Sequence, residues 1–246
     1  MPPDYQFSTF RAPDEPAAAR AYYAAHGRAL QRHGTAVVSS SHPDWLANPD
    51  VLVIVAKTPN GTLAGGVRLH RASPAHPLPL EVALAAHQPA LDTALAHART
   101  QGVVESCGLW VAAEHSGRGL ALLLTRYSIA LGPQLAPVVY GLAAPHALAM
   151  FQTLGFEPVR GFGELGRVAY PTPAYISTLI EWRAADTFHR ADVTHRARIR
   201  SLRQRPGQLY CERAGRADVW VRYCPAAGAR ADRLAAAPAA PLRQAA

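Results

Sequence analysis

Two glycines, Gly117 and Gly119, separate an apolar run ending at Val111 from a second apolar run, Leu120–Leu131. Glycine takes positive φ without a Cβ penalty and lets a ligand come close to the backbone. The second run predicts a helix, whose first N–H groups are unpaired and lie at the positive end of its dipole; a diphosphate suits that position. Ser116, Gly117, Arg118, Gly119, Leu120 and Ala121 are therefore the candidate phosphate-binding residues. Upstream, the stretch VVESCGLWV holds a single carboxylate, Glu105, at the start of an otherwise apolar segment. A carboxyl in such surroundings keeps its proton to higher pH and can take one from an amine. Glu81, in the segment LPLE, is the second candidate base, and for both the bland alternative is a pairing with arginine. His115 and His146 flank the glycine turn and the next strand, where a phosphate contact or a proton shuttle is open to them. Cys107, with no basic neighbour in sequence, reads as buried packing.

These residues need a scaffold. Asp14–Gly34 predicts a helix, with Asp14 as cap, Pro16 in the first turn and Gly34 at the end. Strands at 51–57 and 62–71 flank the turn Thr58-Pro59-Asn60-Gly61. A helical stretch ending at Gly102 follows, then a strand at 103–112 whose continuous apolar end predicts a central position. A helix at 119–131, a strand at 138–142, a helix at 145–154 and a strand at 176–182 complete the series. A hairpin followed by alternating strands and helices implies an α/β fold: a mixed, mainly antiparallel sheet with helices on both faces. The organisation expected is an irregular stretch at 1–13, a main domain at 14–183, a basic extension at 184–224 and an Ala/Pro-rich disordered tail at 225–246. Residues 183–205 hold seven arginines against Asp186 and Asp192, with Arg196, Arg200 and Arg203 at helical spacing. A small hairpin is expected at 209–213 and 218–223.

The strand–glycine turn–helix, followed by Ala144–Phe156, resembles the GCN5-related N-acetyltransferase superfamily. In that family the acyl-CoA loop reads Gln/Arg-x-x-Gly-x-Gly/Ala, matched here by Ser116 to Ala121. A later family element, Asn-x-x-Ala-x-x-φ-Tyr-x-x-x-Gly-Phe, is matched at Ala147, Met150, Gly155 and Phe156. The resemblance covers roughly residues 35–183. It implies an acyl-CoA N-acyltransferase fold in which the strands at 103–112 and 138–142 splay apart. It also implies acetyl-CoA or another acyl-CoA as co-substrate, no metal, and direct transfer to a small-molecule amine. Leu109, Trp110 and Val111 would then face the pantetheine and polarise the thioester carbonyl through backbone N–H groups. Three positions depart from the family: Ser116 stands for the loop Arg or Gln, Ala144 for the Asn, and Phe151 for a Tyr that protonates the leaving thiolate. Phenylalanine has no proton to give, so Tyr140 becomes the candidate acid. A looser likeness, through Gly65–Leu69, Pro77–Glu81 and Glu105, is to acyl-homoserine-lactone and long-chain N-acyl amino acid synthases. That branch would make Arg68 functional and admit an acidic acyl carrier protein as donor. Loss of the three family residues leaves a third reading, a non-catalytic ligand-binding or scaffolding domain.

Composition narrows the alternatives. Of 246 residues, 49% are apolar and 17% charged, the balance of a globular protein with a sizeable core. Lys57 is the sole lysine among 25 basic residues, a bias that points to a GC-rich genome. Three cysteines without metal spacing fit a reducing, cytoplasmic setting, and the N-terminus lacks the pattern of a secretion signal. Residues 127–156 carry no Asp, Glu, Lys or Arg, but Gly132, Pro133, Pro137, Gly141 and Pro145 break them too often for a membrane span. The basic extension has no interleaved aromatics, helix-turn-helix pattern or zinc spacing, which disfavours nucleic acid as a partner.

Overall fold

The computed structural model describes residues 2–32, 34, 38–215 and 217–224; the expected tail at 225–246 lies outside them. In chain order the elements are β1 (Tyr5–Arg11), α1 (Pro16–Arg32), β2 (Val51–Lys57), β3 (Leu63–Arg71), α2 (Pro79–Ala83), α3 (Gln88–Gln101), β4 (Val103–Val111) and α4 (Leu120–Leu131). There follow β5 (Val138–Ala143), α5 (Leu148–Thr153), β6 (Glu157–Pro158), β7 (Arg167–Ala169), β8 (Ile176–Arg183), α6 (Val193–Gln204), β9 (Leu209–Arg213) and β10 (Asp218–Cys224). All strands join one sheet in the order β6-β8-β5-β4-β3-β2-β1-β10-β9, with β7 also beside β8. Only β4–β5 and β1–β10 are parallel, so the sheet is mixed and mainly antiparallel, as the element order implies. Among the described residues no helix is long and apolar enough to cross a membrane.

The N-terminus corrects one expectation. Residues 5–11 are not irregular: Tyr5, Phe7 and Thr9 are buried on one face while Gln6 is exposed, a strand alternation interrupted only at Phe10, which is buried on the other face. The strand is held by β2 on one side and by β10 on the other. Its mostly polar alternate positions, in a stretch of only seven residues, hide it from a reading of apolar runs.

Strand alternation sorts the core into two faces. Ile54, Ala56, Val67, Leu69, Val104 and Val139 face α4. Val53 and Val55 face α1, while Val103 and Val138 face α2 and α3. Helix α4 is apolar nearly all round because α6 covers its outer side; only Ala121 and Leu122 escape full burial. The extension beyond Arg183 is thus part of the fold, and its arginines are committed inside it. Arg203 donates to the carbonyls of Ile129 and Ala130, at 3.0 and 3.3 Å, where the C-terminus of α4 favours a cation. Arg198 lies over the Tyr210 ring, and Arg200 over Phe188. Arg126 of α4 and Glu212 of β9 form a buried ion pair at 2.6 Å, joined by Arg198 at 3.3 Å and by the Tyr223 hydroxyl, which donates to Glu212 at 3.0 Å.

Two irregularities shape the site. Strands β4 and β5 pair only over Val103–Glu105 and Val138–Tyr140. Beyond that β4 runs on to Val111 while β5 stays with β8, and a wedge-shaped gap opens between them. Opposite the gap, the β3–β4 register slips between Gly66 and Arg68, where Gly108 takes φ +61°.

Candidate active site

The gap is the mouth of a cleft of about 480 Å³, lined along one wall by Glu105 to Val111 and along the other by Leu142, Ala144, Ala147, Met150 and Phe151. Trp110 pairs with Gly66, and the Ala112 N–H goes to the Ala64 carbonyl at 2.9 Å. Because successive strand N–H groups alternate in direction, those of Leu109 and Val111 turn away from β3, toward the gap. Trp110 contributes to the wall with its own N–H spent on the sheet. The bulge that begins this stretch is fixed by Tyr22, whose hydroxyl donates to the Gly108 carbonyl. The Tyr22 ring reaches that far because Gly66 has no side chain: a Cβ there would lie 2.6 Å from the ring.

Ser116 and Ala121 stand at the cleft mouth. Gly117 and Gly119 adopt φ of +74° and +76°, conformations that L side chains resist, and Gly119 forms the N-cap of α4. Among the described residues, no backbone carbonyl accepts from the N–H groups of Gly117 through Leu122. The turn therefore offers free amides at a helix N-terminus. It is not wholly open, however. The β9–β10 turn rests on it: a Cβ on Gly119 would lie 2.1 Å from the Ala214 carbonyl oxygen, and one on Gly215 would lie 2.7 Å from that of Gly117. Gly119 thus serves the packing of the C-terminal hairpin, a need the sequence does not display. Gly117, with nothing within 4 Å of its Cβ position, has no such neighbour.

Glu105 lines the cleft at the point where β4 and β5 part. It is 3% exposed and accepts the Leu80 N–H at 2.8 Å. Burial pushes its carboxyl up to about 8, against the opposing pull of that N–H and of the Arg68 charge. The group therefore keeps its proton through neutral pH and ionises at around pH 8.

The other two candidate proton-transfer groups lie elsewhere. Glu81 accepts the Leu78 N–H at 2.6 Å and pairs with Arg99, which ties α2 to α3; it does not line the cleft. Tyr140 is the register partner of Glu105 on β5 but does not line the cleft: it is fully buried and donates to Glu181 at 3.0 Å. Its pKa is raised by burial and then by the Glu181 charge, so it holds its proton more tightly than a free tyrosine. Cys107 is buried and its thiol is pushed up to about 12, which keeps it out of nucleophilic work. His146 is exposed at the cleft mouth, and His115 bonds the Tyr5 hydroxyl at 3.0 Å.

The sequence does not single out Tyr22, Trp45 or Tyr170. Tyr170 lines the cleft and bonds both the backbone N–H and the hydroxyl of Ser39, at 2.5 and 3.0 Å. For Tyr22 a signal exists in the pair Gly65-Gly66, which marks a strand that something approaches closely. Trp45 stands in a short 3-10 helix, Pro43–Ala47, and Tyr170 in a loop, and nothing in their neighbours marks them.

No family model and no curated protein sequence matches this chain. Solved structures do. FeeM, an N-acyl amino acid synthase from uncultured soil microbes, superposes with a TM-score of 0.58 at 16% identity, covering 77% of this chain and 96% of its own. The CoA-dependent acyl-homoserine lactone synthase BjaI, solved with SAM and isopentyl-CoA, gives 0.51 at 16% identity over 79% and 89%. An acyl-CoA N-acyltransferase from Pseudomonas aeruginosa gives 0.50 at 15% identity over 72% and 98%. At these identities the likeness speaks for architecture, and it agrees with the parted parallel strands and the bulge: this chain has the acyl-CoA N-acyltransferase fold.

Proposed function

We propose that the protein transfers an acyl group from a pantetheine thioester, carried by CoA, to an amine. The observation that carries this reading is the β4–β5 gap, where the backbone amides of Leu109 and Val111 face open space and Glu105 stands at its inner end. The gap is narrow and walled by backbone, which suits the amide-bearing pantetheine chain; the apolar wall at Leu142, Met150 and Phe151 suits an acyl tail.

In this reading Glu105, ionised, takes a proton from the acceptor ammonium. The freed nitrogen attacks the thioester carbonyl, a C–N bond forms, and the developing oxyanion is met by a β4 backbone N–H. The C–S bond then breaks as the nitrogen gives up its remaining extra proton to water, and the thiolate departs. A free thiol has a pKa of about 8.5, so the thiolate leaves as a fairly stable anion and takes its proton from water. That accommodates Phe151, where no proton donor is available.

A donor borne by an acidic carrier protein is the second reading. It is favoured by the Ala214–Gly215 turn seated on Gly117 and Gly119, since a carrier-borne pantetheine ends in one phosphate and needs no diphosphate cradle. Thiol release from acyl-CoA and from acylated carrier protein, measured with a panel of amines, tests both. Saturable turnover that Glu105→Gln lowers supports acyl transfer. CoA binding in the gap without turnover from either donor would leave a ligand-binding domain instead.

A further inference from the structure

The end of the cleft beneath α1 is polar without being cationic. Among the described residues that line the cleft there is no arginine or lysine, and Glu105 is the one carboxylate. Arg68 does not reach it: the side chain is fully buried over the Trp45 ring, and its Nη2 donates to the Ser40 carbonyl. The cleft offers His26 and Ser39 instead. His26 follows Tyr22 by one turn of α1, so it stands beside the Gly108 bulge that Tyr22 fixes, and the two rings lie 6.1 Å apart. It is 3% exposed, lines the cleft, and makes no hydrogen bond among the described residues. Burial, and then the Arg68 charge, push its pKa down to about 4. The ring is therefore neutral near pH 7 and carries one N–H donor and one bare nitrogen.

Ser39 is set by Tyr170. The Tyr170 hydroxyl accepts the Ser39 N–H at 2.5 Å and donates to the Ser39 Oγ at 3.0 Å. With the tyrosine proton spent in that way, the serine hydroxyl keeps its own proton to donate. The short turn Ser39–Ser41 packs against α2, whose Leu80 N–H holds Glu105, so the serine and the carboxyl belong to the same part of the cleft. A buried imidazole is costly to leave unpaired. A hydroxyl group satisfies both residues at once, since it accepts from Ser39 and exchanges a hydrogen bond with His26 without bringing a charge out of water. A carboxylate could accept from Ser39, but it would shed its hydration with no cation to replace it.

We infer that the acyl acceptor is an amino alcohol, its ammonium at Glu105 and its hydroxyl between Ser39 and His26. The assignment of the amine end rests on the acyl-transfer reading above. The hydroxyl site itself does not, and the test therefore reads binding. The full chain, with and without CoA, is titrated calorimetrically with alaninol and with leucinol. Each is compared with its parent amino acid and with the amine that carries a methyl group in place of the hydroxymethyl. At least one amino alcohol should bind about 10-fold more tightly than both of its counterparts, the worth of a hydrogen bond. Ser39→Ala and His26→Leu should each remove most of that preference, whereas His26→Gln, which keeps a donor and an acceptor, should retain part of it. If no amino alcohol binds to the wild-type protein, or if in both series a counterpart binds as tightly, the inference is overturned without recourse to a variant. Thiol release from acyl-CoA in the same samples reports on acyl transfer separately. A preference for the hydroxyl without turnover keeps the site and removes the transferase; turnover that favours the amino acids does the reverse.

Discussion

The part of the cleft assigned to the acyl donor is made of backbone: the Gly117–Gly119 turn, the N-terminus of α4, and the amides of Leu109 and Val111. The part assigned to the acceptor is lined by side chains from separate segments, Ser39, Glu105 of β4 and Tyr170 among them. Backbone sites depend on where the chain can bend, and they tolerate changes at many side chains. Side-chain sites depend on charges held out of water, and one substitution can undo them. The two parts also differ in what supports them. The donor turn is braced by the C-terminal hairpin through Ala214 and Gly215, whereas the acceptor part is braced by α1 and the loop after it.

Breaking the brace should have the largest effect. Glu212→Ala leaves Arg126 buried beside an absent partner, 5% exposed in the middle of α4. It should cost about 3–5 kcal/mol in urea denaturation. Glu105→Gln acts on the other part: kcat should fall about 100-fold or more, worth about 3 kcal/mol, with donor affinity unchanged in a steady-state assay. The same carboxyl fixes a pH dependence. Its ordinary value is 4.5 and burial raises it to about 8, so the folded state holds a proton that the unfolded chain releases. Its contribution to stability is therefore full below about 4.5 and is lost as pH rises toward 8, while the wild-type rate rises over the upper part of that range. Denaturation and rate profiles of Glu105→Gln should both lose these slopes.

Next, Gly119→Ala should destabilise by about 2 kcal/mol more than Gly117→Ala in thermal melts, since both carry positive φ but only the first meets Ala214. Equal losses would separate the hairpin from the turn. The smallest effect is expected from Tyr22→Phe, about 1–2 kcal/mol of stability for one hydrogen bond at the bulge.

The same division explains what could be read from the chain. Two glycines at 117 and 119 before an apolar helix announce a turn and its amides, and Glu105 is conspicuous as the one charge in its strand. The strands β2 to β5 and β8 follow from apolar runs and turn residues. Tyr140 illustrates what sequence could not decide: it is adjacent in register to Glu105, yet its hydroxyl is taken by Glu181 across the next strand. Glu81 lies near the same segment but is spent on Arg99. The arginines of α6 look like a binding face in sequence, and only packing reveals that they hold α4, Tyr210 and Phe188. Convergence of distant segments, as at Arg68 and Trp45, leaves no local pattern to read.

The gap between β4 and β5 is where the whole reading stands. A crystal structure with a non-transferable acyl-CoA analogue should show the pantetheine amides hydrogen-bonded to Leu109 and Val111, its sulfur beside Glu105, and its phosphates at Ser116–Ala121. A pantetheine bound elsewhere, with the gap left unfilled at saturating ligand, would contradict it.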